Sequence, residues 1–108
     1  MSQPSPILIE ETPPARNAAV ERCCAARDLA RAQCRARNAE KYETFKQGAE
    51  AYRNAFPDLS GYENIRDFVA CISHGLLTGD ISPVDSPQYL YAAQVAISAL
   101  RRQTNPSA

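Results

Sequence analysis

Along three stretches of the chain, apolar side chains return at steps of three and four residues, the spacing that lays one apolar stripe along a helix. The first stripe is Tyr42, Phe45, Ala49, Tyr52 and Phe56, and the second is Ile65, Phe68, Val69, Ile72 and Leu76. The third is Leu90, Ala93, Ile97 and Leu100, widened by Tyr89, Tyr91, Ala92, Val95 and Ala96. So broad a stripe implies contacts on more than one side of its helix. Upstream of the first, Ala25, Leu29, Ala32, Ala36 and Ala39 continue the period with small side chains that bury little area, so this part is weakly held unless a partner or a second copy covers it.

Breakers and caps divide the pattern. From 15 to 56 the chain has no proline and a single glycine, Gly48, while Ala, Arg, Glu and Gln dominate, which predicts one long helix or two with a break near Gly48. Unbroken, it would reach about 60 Å, more than a compact domain of this size needs, so part of it should project or pair with another chain. Pro57 ends it, and Ser60-Gly61-Tyr62-Glu63 carries the spacing of a capping box at the start of the next helix. That helix stops near Gly79; Ser86 then serves as an N-cap, Pro87 takes the first helical position, and the last helix runs to about Gln103. The expected architecture is all-α: a long N-terminal helix packed at its C-terminal half on an antiparallel helix hairpin, forming one domain over 15–103. Residues 1–14, with four of the eight prolines, and residues 104–108 are read as flexible tails, with Ile7, Leu8 and Ile9 as an alternative short docking segment.

Composition suits a single folded domain, with 44% apolar and 22% charged residues in 108. Lys plus Arg equal Asp plus Glu at 12 each, so no net charge draws the whole molecule to nucleic acid or anionic lipid. The start lacks the basic and apolar regions of a signal peptide, and no apolar run approaches the roughly 20 residues that span a bilayer. The expected location is the cytoplasm. There Cys23, Cys24, Cys34 and Cys71 are expected as reduced thiols, buried as small hydrophobes.

Catalytic sets are incomplete. His74 is the only histidine; it stands three residues after Cys71, a spacing that could present two ligands on one face, but no second pair completes a tetrahedral metal site. Ser73 beside His74 cannot form a triad by adjacency, and the glycines at 48, 61, 75 and 79 form no phosphate-binding loop. Neither an enzyme nor a metal or cofactor is expected.

Charge is uneven where function could lie. Between 15 and 56 nine basic residues face five acids, and Arg27, Arg31 and Arg35 recur every four positions, with Arg37 and Lys41 nearby. Guanidinium groups one turn apart can each meet a carboxylate or a phosphate; the plainer alternative is a solvated face with i,i+4 ion pairs. No aromatic residue is interleaved with the arginines, which argues against a platform for single-stranded nucleic acid. The C-terminal half carries five acids against three bases. These features favour an interaction or regulatory module, with self-association as one mode, acting on a protein partner through Arg27, Arg31, Arg35, Arg37 and Lys41. The alternative is nucleic-acid binding by the same Arg27 to Lys41 face. Tyr62, Tyr89 and Tyr91 are secondary interface candidates.

The segment Leu76-Leu77-Thr78-Gly79-Asp80-Ile81-Ser82-Pro83, with Tyr89-Leu90-Tyr91-Ala92-Ala93-Gln94-Val95-Ala96, resembles a helix pair of small uncharacterised bacterial proteins. The resemblance implies a bacterial or phage origin, for which an inhibitor or accessory factor would fit, and it carries no activity.

Overall fold

Asn17 caps the first described helix by accepting the backbone N–H groups of Ala19 and Val20 on its side-chain oxygen, at 2.8 and 3.2 Å. This N-cap satisfies two donors that the first helical turn leaves free. The computed structural model describes residues 16–104, which form four helices and no strand. They are α1 (Ala18–Ala36), α2 (Lys41–Asn54), α3 (Tyr62–Thr78) and α4 (Ser86–Thr104). The tail assignment at 1–14 lies outside the described residues, as does that at 104–108 except for Thr104, which is not tail but the last residue of α4.

The expected long helix is divided, and not at Gly48. The chain reverses over 37–40, where Asn38 takes a φ of 57°, the left-handed region that asparagine tolerates better than most residues. The Ala39 amide bonds back to the Cys34 carbonyl at 2.9 Å and closes the turn. α1 and α2 consequently form a helical hairpin. Gly48 sits inside α2 for a packing reason: a Cβ there would stand 2.7 Å from Arg31 Nε, so its absence lets the Arg31 side chain lie across the helix.

The inward stripe of α1 also differs from the one its alanines suggested. Ala19, Val20, Cys23, Cys24 and Cys34 are buried, whereas Ala25, Ala32 and Ala36 are exposed and Leu29 is 60% exposed. The thiols carry the apolar seam, with Arg27 and Arg31 half-buried between them. On α2, Ala49 and Tyr52 join the core while Tyr42 and Phe45 stay exposed, and Phe56, just past the end of the helix, packs against the core.

α3 is the central helix, with α1 on one side and α4 on the other. Of its expected stripe Ile65, Phe68 and Ile72 are buried and Val69 and Leu76 half-buried, with Cys71 buried beside them. Gly75 lets Ile81 and Tyr52 approach, since a Cβ at that position would come within 2.8 Å of Ile81 and 2.9 Å of Tyr52. Tyr52 has no exposed surface and donates its hydroxyl to the Cys71 carbonyl at 2.7 Å. Phe56, Phe68 and Tyr89 form an edge-on ring cluster, with centroids 5.2 Å apart for the first two and 5.5 Å for Phe56 and Tyr89. That cluster joins α3, α4 and the end of α2.

The capping box at 60–63 does not form. Gly61, at φ 90°, occupies the cap position and pushes Ser60 one residue outward, where its hydroxyl accepts from Asn64 instead. Ser86 opens α4 and is buried, and its hydroxyl donates to the Pro83 carbonyl at 3.2 Å. Pro87 follows within the first turn, where its missing N–H costs no helical bond.

Candidate functional site

The loop after α3 carries the most buried charge described. Gly79, at φ 84°, ends the helix, and the Ile81 amide returns to the Gly75 carbonyl at 3.1 Å. This tight turn drives Asp80 inward until it is 1% exposed. A carboxylate so far from water needs cationic and hydrogen-bonding partners. Arg27 Nη1 supplies one at 3.0 Å, Arg31 Nη2 a second at 3.4 Å, and the Thr78 hydroxyl a third at 2.6 Å. Arg53 donates to the Asp80 backbone carbonyl at 3.2 Å. Three arginines from the first hairpin thus grip one turn of the second.

Arg27 and Arg31 are therefore not part of an open basic row. Arg27 also meets Asp28 at 2.9 Å; burial works against its charge, but the bonds to Asp28 and Asp80 outweigh that and hold its pKa above the ordinary arginine value. The Arg31 guanidinium carbon stands 5.5 Å from the Phe45 ring centroid, a cation–π contact, and its Nε is buried over Gly48 without a hydrogen-bond partner. The expected recurrence at 27, 31 and 35 was real, but two of its members answer an acid nearly fifty or more residues away that no local pattern reveals.

Arg35, Arg37 and Lys41 remain exposed, around the turn that closes the first hairpin. Arg37 donates to the Cys34 sulfur at 3.5 Å, and none of the three takes part in an ion pair among the described residues. The reversal at Asn38 brings two aromatic residues to this end of the hairpin: Tyr42, 74% exposed, and Phe45, 47% exposed. Tyr42 already neighbours Lys41 in sequence, whereas Phe45 and Arg31, fourteen positions apart, meet only because the hairpin closes. Local acids are Glu40 and Glu43, the latter accepting from Gln47 at 2.7 Å. Tyr42 and Phe45 also line an open cleft of about 540 Å³ with Lys46, Arg53, Asp85 and Tyr89.

The three tyrosines named as secondary candidates separate. Tyr62 and Tyr91 are exposed on α3 and α4, whereas Tyr89 is half-buried, packing in the ring cluster with Phe56 and Phe68 while also lining the cleft beside Tyr42 and Phe45. Tyr91 shares a shallow groove on the outer side of α4 with Val95 and Arg102.

All four cysteines are buried and unpaired by disulfide. Burial, with the Cys71 contact adding to it, pushes the Cys23 thiol from the usual 9.0 up to about 12. Cys71 is raised chiefly by burial, against which the bond it receives from Cys23 works downward. Among the described residues no group of three or more His, Cys, Asp or Glu side chains stands close enough to hold a metal ion, and His74 is half-buried on α3. No described helix is long and apolar enough to cross a membrane. No family model, curated protein or solved structure matches this chain.

Proposed function

We propose that this chain is a non-enzymatic interaction or regulatory module that offers the closed end of its first helical hairpin to an acidic surface on a protein partner. The observation that carries the reading is the juxtaposition there of Arg35, Arg37 and Lys41, without intramolecular ion pairs among the described residues, and the exposed rings of Tyr42 and Phe45. Arginine and tyrosine together make effective interface anchors, because the guanidinium supplies paired hydrogen bonds and the ring supplies apolar area at little entropic cost. The working surface moves from the Arg27 to Lys41 row to its distal members plus the two rings. A bacterial or phage inhibitor or accessory factor acting in the cytoplasm, alone or self-associated, is the kind of protein this describes.

The experiment is a combined Arg35→Gln, Arg37→Gln and Lys41→Gln variant. Helix content and Tm should stay level, since these side chains are exposed, while capture of the partner from the native host should fall at least tenfold. Equal capture by the variant overturns the reading.

Nucleic-acid binding is the second reading, and the nearness of Tyr42 and Phe45 to basic side chains favours it more than sequence order did, since stacking and phosphate pairing then share a surface. Its mark is salt: retention on nucleic acid should fall by about 0.9 in log affinity per log unit of salt for each duplex phosphate neutralised, and by about 0.7 on single strands. Absence of retention at low salt removes this reading and leaves the protein-partner reading intact.

A further inference from the structure

Cys23 on α1 and Cys71 on α3 point at one another across the core, with their sulfurs 3.6 Å apart and neither side chain exposed. They lie 48 residues apart in sequence. Neither the hairpin-end surface nor the Asp80 cluster uses them. Their contact is selective among the four thiols: Cys24 is turned about 100° round the same helix from Cys23, and Cys34 lies eleven positions further along it, about 16 Å away.

We propose that Cys23 and Cys71 are a disulfide-forming site, which a two-electron thiol oxidant converts into a bond tying α1 to α3. A disulfide needs sulfurs about 2.05 Å apart, so the pair must close by roughly 1.5 Å between two helices already in contact. Cys23 donates its S–H to Cys71, which makes Cys71 the thiol that ionises more readily and the attacking sulfur. With an azo oxidant such as diamide, both S–H bonds break and one S–S bond forms. The two electrons and two protons pass to the N=N bond, which becomes a hydrazine. Because both sulfurs are buried and held protonated, reaction at neutral pH is slow, and it speeds up as pH rises.

The test uses the wild-type chain, folded, treated with diamide and then alkylated in denaturant. Mass spectrometry of the non-reduced digest should find one linked peptide pair, Cys23 with Cys71, with Cys24 and Cys34 alkylated. A Cys24→Ser, Cys34→Ser variant should give the same link. The linked protein should melt about 5 °C or more above the reduced one, because the bond closes a long loop in the unfolded chain. A link through Cys24 or Cys34, or no link under conditions that oxidise the urea-unfolded chain, would overturn the assignment. So would a linked protein that melts no higher than the reduced form, since the bond would then belong to an opened state.

Discussion

Asp80 accepts a hydrogen bond from Arg27 at 3.0 Å across 53 residues of sequence. The pair, with Arg31 and Thr78 beside it, fastens the α3–α4 turn to the first hairpin. Because the carboxylate is buried, removing it leaves cations without their partner and removing an arginine leaves an under-paired acid. Asp80→Ala should therefore cost about 3 kcal/mol in urea denaturation, and Arg27→Gln a smaller but clear loss. A change under about 0.5 kcal/mol for Asp80→Ala would mean that the turn is held by other contacts.

The arginines of α1 should separate in their effects. Arg35→Gln should leave Tm within experimental error, as an exposed cation does. A combined Arg27→Gln, Arg31→Gln variant should melt several degrees lower, where a solvated face would have left Tm unchanged. Equal Tm values for the two variants would contradict the geometry around Asp80.

Core truncations test the central helix. Phe68→Ala and Ile72→Ala should each cost about 2–5 kcal/mol, as both side chains are buried among α1, α2 and α4 residues. Tyr52→Phe removes only the hydroxyl that meets the Cys71 carbonyl and should cost about 1 kcal/mol.

Gly75→Ala should destabilise by roughly 1–3 kcal/mol, although alanine is the better helix former by about 1 kcal/mol. The added methyl would press on Ile81 and Tyr52, both fully buried and unable to withdraw. A gain in stability would show that this contact yields easily.

Stability should fall at both ends of the pH range. Asp67 receives a hydrogen bond from Asn17 at 2.8 Å, and that bond, with Arg66 beside it, outweighs partial desolvation to lower its carboxyl below the ordinary value of 3.8. A lowered acid contributes fully above its unfolded pKa and loses that contribution as pH falls through the folded one. The Tm difference between wild type and Asp67→Asn should be steady above about pH 5 and shrink below about pH 4. At the alkaline end the sign reverses. Cys23 stays protonated in the fold up to about 12, while in the unfolded chain it ionises from about 9, so stability should decline as pH rises between those values. A Cys23→Ala variant should show a weaker alkaline decline than wild type.

The sequence by itself determined the helices and most of their ends. Steps of three and four, Pro57, Gly79 and Pro87 are local signals, and each acts within a turn or two of where it stands. The buried face of α3 was legible for the same reason, since Ile65, Phe68 and Ile72 are large and have no competing stripe. Tertiary structure decided what local rules could not weigh. The reversal at Asn38 depends on one left-handed residue in a segment whose helix propensity is favourable on both sides, and only packing of α1 on α2 makes the break worthwhile. Burial of the α1 cysteines was legible as expected of small hydrophobes, but the stripe was assigned to the alanines, and the arginines turn inward only because a tight glycine turn far along the chain buries Asp80 beside them. The candidate surface has the same origin in part: Arg35, Arg37, Lys41 and the neighbouring Tyr42 were visible in the sequence, but the approach of Phe45 to Arg31 follows from a chain reversal, a property of three-dimensional packing that sequence spacing does not encode.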